Sequence, residues 1–446
     1  MLSSPAMSSF ELLFRERAEI ERVQVAHLAE QLALVAARHP YYRELFRARA
    51  MTPRTYEDLA ALPLTTKDDY MRSSGCFVLE GDGLPEEMRT VWDTMYTTGS
   101  TSGQPTPFVS TTFDFYRILE LQASMLRIRG IGAGDVIANV FPVTRQPHGA
   151  WIRPFQAAAA INVPIVAAMP GAPSEFFASG RSTDEVVRII ERSGATVLWG
   201  VPSYLARMTE RAAELGADLR RVRLVLVTGE SVTEAARAAL TAGVARCGAS
   251  ALVSVSYGST ETQGGFPECV PGSGYHNPAP DQFLVEMVDP QTHERVADGE
   301  PGLVVLTHLR RRGTVLVRYT LGDVSVRTRE RCGHCRAWTD RLTAMPKRVD
   351  ALVKIKGMLV NPGVLVEALD AVLGATPFQA SVESRGEGQL AGDVLRVRVV
   401  GVMPASLAER VRVAIGVSAE LESVSPESLV DFAAGWKTKK FVDRRR

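Results

Sequence analysis

A chain of 446 residues with 46% hydrophobic content exceeds what one hydrophobic core usually serves, so the composition predicts at least two packed domains. A formal net charge of +1 gives no global reason to bind nucleic acid or an anionic membrane, and five cysteines, an odd number, argue against a disulfide framework. The opening Met1-Leu2-Ser3-Ser4-Pro5 lacks a basic region followed by an apolar core, and no run approaches the roughly 18 apolar residues of a membrane span. The expectation is a cytoplasmic protein whose partners are small molecules.

Taken in order, residues Ser9 to Ala50 carry Leu12, Leu13, Ile20, Val23, Leu28, Leu32 and Val35 near helical spacing, interrupted at His39-Pro40. Thr66-Lys67-Asp68-Asp69 after Pro63 reads as a capped helix start. Thr97-Thr98-Gly99-Ser100-Thr101-Ser102-Gly103 then offers hydroxyls and closely approachable backbone N–H groups, a composition that suits a polyphosphate and equally an ordinary polar linker. Beyond it helices and short apolar runs alternate. Asp114–Arg129, Ala157–Asn162, Thr183–Ser193, Tyr204–Leu215 and Glu234–Cys247 read as helices. Val136–Val140, Pro164–Ala167, Ala195–Trp199, Leu224–Val227 and Ala251–Val255 read as strands. That alternation predicts βαβ units and a mainly parallel sheet whose ligands bind at the carboxyl ends of its strands. From Phe283 the texture turns β-rich, with strands at 283–288, 302–307 and 314–319, and a smaller α+β unit begins near Arg348.

Two strand ends carry chemistry: Thr228-Gly229-Glu230 and Tyr257-Gly258-Ser259-Thr260-Glu261. Asp323 follows Gly322 in what reads as a turn, where one carboxylate can accept from two vicinal hydroxyls. Cys332-Gly333-His334-Cys335 is a knuckle able to give two thiolates to one tetrahedral ion, which needs two further ligands, with His334 as a competing one. Cys76 and Cys247 read as buried small residues.

These stretches, with Val317–Asp323, Arg348–Gly357 and Gly435-Trp436-Lys437, resemble the adenylate-forming superfamily, most nearly its phenylacetate-CoA ligase branch. The resemblance implies an α/β fold. Residues 1–347 would form a large domain of mainly parallel sheets plus a β-rich subdomain, and residues 348–446 a small mobile α+β lid hinged near 347–350. It implies an AMP-forming ligase that activates an aromatic carboxylic acid with ATP and passes the acyl group to coenzyme A. A carrier-protein thiol, an amine, or nitrite activation for aryl-amine diazotisation stand as other acceptors or substrates, and a nonenzymatic nucleotide-binding relative as a further alternative. A carrier protein and a second copy of the chain are partners it leaves open.

Residue by residue, the resemblance gives the Thr97–Gly103 loop to the phosphates, Gly229, Glu230, Tyr257, Gly258 and Thr260 to the nucleotide, and Asp323 and Arg341 to the ribose or phosphate. Glu261 would take Mg²⁺, His148 would stand near the reacting carboxylate, and Lys437 would swing in to stabilise charge on the α-phosphate. Trp151, Phe155, Trp199 and Tyr204 are the aromatic residues at hand for a flat acyl group. Cys269, His276, Cys332 and Cys335 would complete a structural zinc site. Departures are the longer spacing between Gly99 and Gly103, Gln104 where lysine is frequent, and Lys347 before Arg348 where glycine is usual.

Overall fold

The computed structural model describes residues 8–81, 85–97, 106–143, 148–171, 180–348, 353–356, 358–374, 376–385, 392–429 and 439–445. The chain is α/β and folds as two compact units that alternate along the sequence. The first takes residues 1–135, 144–164 and 254–347, the second 136–143, 165–253 and 348–446. Among the described residues no helix is long and apolar enough to cross a membrane.

In the first unit the helix Arg17–Arg38 forms on the periodic Ile20, Leu28, Leu32 and Val35, which it buries together with Gln24 and Gln31. Those two amides fasten it elsewhere: Gln24 Nε2 donates to the Phe283 carbonyl at 3.3 Å and Gln31 Nε2 to that of Arg311 at 3.0 Å. His39 ends this helix and caps the next, Pro40–Ala48, its Nδ1 accepting the Tyr42 N–H at 3.2 Å while Pro40 fills a first-turn position that needs no donor. Thr66 caps Lys67–Arg72 through a reciprocal box with Asp69, and Thr111 with Asp114 does the same for Thr112–Arg127.

The β-rich expectation resolves into an antiparallel sheet in the order Phe283–Val288, Pro301–His308, Tyr319–Thr328, Arg341–Leu342, Tyr275–His276. One expected strand moves. Residues 314–318 are not a strand; Thr314 makes only an isolated bridge to Val78, and the strand runs instead from Tyr319 to Thr328. The cause is Arg318, whose φ of +49° breaks the extended path and whose buried guanidinium is held by the carbonyl oxygens of Ala60, Leu62 and His293. The expected helix at 157–162 is likewise longer and earlier, Gly149–Ala160, because Pro154 inside it interrupts the sequence signal without ending the helix.

The second unit contains the predicted parallel sheet, in the order Ile165–Ala167, Ile137–Asn139, Val197–Gly200, Leu224–Val227. Helices Thr183–Ser193, Pro202–Glu214 and Glu234–Arg246 alternate with the later strands. Its remaining part is α+β. A sheet in the order Ala419–Val424, Gly392–Val400, Phe378–Arg385, Phe441–Asp443 packs helices Pro362–Leu373 and Leu407–Ile415 over a core of Leu365, Leu369, Phe378, Leu395, Val397, Leu407 and Val411.

Candidate active site

Tyr257, Gly258, Thr260 and Glu261 lie on one hairpin, formed by Leu252–Ser259 and Gly264–Pro267 in antiparallel register. Gly258 is required by packing: a Cβ there would stand 2.5 Å from the Gly264 carbonyl oxygen and 2.9 Å from the Gly265 Cα. Glu261 sits at the hairpin tip. The turn is closed by Gln263, whose N–H and side-chain amide both donate to the Thr260 carbonyl, and by Thr262, whose hydroxyl bonds Ser259 and Gly264. Tyr319 donates its hydroxyl to Glu261 Oε1 at 3.1 Å, and Oε2 accepts from no described residue.

Asp323 is not in a turn after a strand but inside one. Thr320 pairs with Val305 and Val324 with Leu303, so Leu321, Gly322 and Asp323 together face Val304 alone. This is a β-bulge, with Gly322 at φ +77° supplying the left-handed step that re-aims the carboxylate. Tyr257 reaches it from the hairpin, which belongs to a different sheet, its hydroxyl donating to Asp323 Oδ2 at 2.7 Å. The two residues expected to meet a nucleoside, one a ring and one a carboxylate, are therefore brought together by geometry that local sequence does not display.

The other expected residues distribute as follows. His148 is buried at the residue preceding the helix Gly149–Ala160, and Trp151 and Phe155 on that helix form an edge-on pair 5.1 Å apart. Thr97 and Thr106, which flank the hydroxyl-rich loop, tie its two ends together: the Thr97 N–H donates to the Thr106 carbonyl at 3.0 Å and the Thr106 N–H to Thr97 Oγ1 at 2.9 Å. Thr98, Gly99, Ser100, Thr101, Ser102, Gly103 and Lys437 lie outside the described residues. Arg341 is not brought to Asp323. It pairs with Thr328, five residues further along the strand, or about 16 Å at strand rise, and its guanidinium donates to the carbonyls of Ser273 and Glu330.

In the second unit Gly229 adopts φ +89° after the strand Leu224–Val227. Glu230 accepts from both the N–H and the hydroxyl of Ser203, at 3.0 and 2.8 Å, in the first turn of helix Pro202–Glu214. Its carboxylate thus pins the loop that carries it.

Cys269, His276, Cys332 and Cys335 converge in the first unit, their ligand atoms all within 4.8 Å of one another. Cys269 and Cys332 sulfurs are 3.8 Å apart and Cys335 Sγ is 3.4 Å from His276 Nε2. A tetrahedron with metal–sulfur bonds of about 2.3 Å has edges of about 3.8 Å, so the donor set fits a closed zinc site. His276 Nδ1 is 3.1 Å from the Pro267 carbonyl, which it reaches as a donor, and this leaves Nε2 to face the sulfurs. The Cys335 thiol beside Cys269 holds the latter's pKa well below the thiol range. His334 is exposed and outside the cluster, as is Cys76, which was expected to be buried.

Sequence reasoning missed four contributors: Tyr319 and His308 at the Glu261 hairpin, Ser203 at Glu230, and Arg153. The last is buried on the helix Gly149–Ala160, and its guanidinium bonds Asp93 at 3.0 Å and the Gln263 side chain. An arginine inside an apolar stretch was the one available signal.

Residues 94–308 match the family model of the AMP-binding enzymes. The chain therefore carries an AMP-binding domain like that of the adenylate-forming enzymes. It is 27% identical over 391 residues to phenylacetate-coenzyme A ligase of Thermus thermophilus, covering 86% of this chain and 82% of that one. It is 25% identical over 448 residues to the phenylacetate-coenzyme A ligase of Aromatoleum evansii, covering 96% and 95%. In fold it is similar to a 2-hydroxyisobutyryl-CoA ligase crystallised with an acyl adenylate in the postadenylation state, with a TM-score of 0.79, 21% identity and coverage of 99% and 94%. The chain is accordingly an AMP-forming ligase. The site thus joins the Tyr257 hydroxyl to the Asp323 carboxylate and presents the Glu261 carboxylate at the tip of a hairpin.

Proposed function

We propose that this ligase joins an aromatic carboxylic acid to the α-phosphate of ATP, releasing pyrophosphate, and then passes the acyl group from AMP to the thiol of coenzyme A. The observation that carries the reading is the Tyr257–Asp323 contact on the bulge, which sets a carboxylate beside an aromatic ring as a ribose and adenine demand. In the first step a carboxylate oxygen attacks the α-phosphorus and the bond to pyrophosphate breaks. Two anions must approach, so positive charge is needed. Lys437 would supply it, and Glu261 would hold the Mg²⁺ that neutralises the phosphates. In the second step the thiol sulfur attacks the acyl carbon and AMP leaves.

The relatives named as phenylacetate-coenzyme A ligases support both coenzyme A as acceptor and an aromatic acid as substrate, and Trp151 and Phe155 supply apolar rings beside His148. Residues 348–446 would act as the lid, hinged near 347–350, that carries Lys437 in and out. Cys269, His276, Cys332 and Cys335 would hold one structural zinc.

A pyrophosphate-release screen over aryl and alkyl acids, each with and without coenzyme A, tests the reading. Release with aryl acids, and AMP together with an acyl thioester when coenzyme A is added, is the expected result. Release only with nitrite and an aryl amine, or with no acid at all, would overturn it.

A further inference from the structure

The Glu261 hairpin is gripped from two sides by the antiparallel sheet of the first unit. His308, the last residue of Pro301–His308, is fully buried, with the rings of Phe108 and Phe283 at 6.0 and 5.8 Å from its own. Its Nδ1 accepts the Leu316 N–H at 3.0 Å, which assigns the proton to Nε2, and Nε2 donates to the Glu261 carbonyl at 3.0 Å. Tyr319, paired with Leu306 on the neighbouring strand, donates to Glu261 Oε1 at 3.1 Å. One residue is therefore fixed at its backbone and at its carboxylate by side chains on adjacent strands.

The hairpin does not need either contact to close, because Thr262 and Gln263 already close its turn. What they do fix is where the Glu261 carboxylate points, with Oε2 accepting from no described residue. We propose that His308 and Tyr319 are positioning residues that hold the Glu261 carboxylate in a single orientation, so that Oε2 is presented to the divalent cation of the bound nucleotide. The inference rests on reading Glu261 as the carboxylate on the metal's side. Mg²⁺ accepts little departure from octahedral geometry, so a ligand frozen in place binds it better than one that must first be ordered. Because Nδ1 accepts the Leu316 N–H, the imidazole carries a single proton, on Nε2, and adds no charge opposing the cation.

The test measures Mn²⁺ affinity by electron paramagnetic resonance in the full-length chain saturated with α,β-methylene-ATP, alongside AMP affinity without metal. Tyr319→Phe, which removes one hydroxyl from a packed ring, should weaken Mn²⁺ about tenfold, the scale on which supporting partners of a metal ligand act, with AMP affinity unchanged. His308→Gln, which keeps an N–H at the place of Nε2, should retain affinity within about twofold, and His308→Leu should lose about tenfold. Glu261→Gln separates the two layers of the claim. Loss of Mn²⁺ in Glu261→Gln together with parental affinity in Tyr319→Phe would overturn the positioning role alone. Parental affinity in Glu261→Gln would remove the metal reading and the proposal with it. If His308→Leu does not fold, Tyr319→Phe decides.

Discussion

His39 and His308 are buried as neutral imidazoles, each with one nitrogen accepting a backbone N–H, and burial is the main reason that their pKa values fall to about 4 and about 3. Unfolding restores both toward about 6.5, so between about pH 6.5 and 4 the unfolded chain binds protons that the folded chain refuses. Stability is then fully present above 6.5 and is lost as the pH falls, by about 1.4 kcal/mol per pH unit for each histidine. Urea midpoints measured from pH 7 to pH 4.5 should fall accordingly. His39→Asn, which keeps a capping acceptor for Tyr42 without a titrating ring, should give a shallower fall; an unchanged slope would show that His39 is not held neutral. Neither histidine was legible as important from sequence. A lone His inside an apolar strand has no period and no neighbour to betray its partner, and the Glu261 carbonyl that His308 meets lies 47 residues away in sequence.

At the scale of elements, what the sequence displayed well was local. Parallel strands separated by amphipathic helices announce themselves by period, and Thr66 with Asp69 announces a helix start because the capping box lies within four residues. The bulge at Asp323 and the start of the strand at Tyr319 were illegible because they depend on Arg318, whose left-handed backbone is maintained by carbonyls from residues 60, 62 and 293. The cysteine cluster falls between these cases. Cys332 and Cys335 advertise a knuckle, whereas Cys269 and His276 become partners only through the pairing of Tyr275–His276 with Arg341–Leu342. The cluster also packs against Leu13, and the Trp338 N–H bonds the Leu13 carbonyl at 2.8 Å, so it anchors the start of the chain. Purified protein should therefore carry about one equivalent of zinc, as four closed ligands predict. Cys332→Ser should lower that content and speed proteolysis near Ser9–Leu12, while a stable metal-free parent would retire the zinc assignment.

Across the whole chain, activity depends on whether residues 348–446 work as a lid for Lys437, and Asp370 is the described residue best placed to report on that segment. It is buried in helix Pro362–Leu373, where it receives the Lys440 ammonium at 2.7 Å and the Thr233 hydroxyl at 3.1 Å. Thr233 caps Glu234–Arg246 just after Gly229 and Glu230, so a single carboxylate joins the loop after Leu224–Val227 to the C-terminal α+β part of the second unit. Removing one partner of a buried ion pair costs about 3–5 kcal/mol, but the Lys440 side chain is 28% exposed and water recovers part of this, leaving about 2 kcal/mol for Asp370→Ala. Asp370→Asn keeps an acceptor for Thr233 and should lose about half as much. Hydrogen exchange is the discriminating measurement, because it reads each element separately. In Asp370→Ala, amides of 362–373 and 378–385 should exchange faster while those of the sheet carrying His308 and Tyr319 keep their parental rates. Equal acceleration throughout would mean that the carboxylate supports the chain as a whole, and no acceleration would mean that the contact adds nothing to the C-terminal part. The same variant then bears on catalysis: if the lid reading holds, pyrophosphate release should change by a different factor from acyl transfer out of supplied acyl adenylate, since only the first step calls on Lys437.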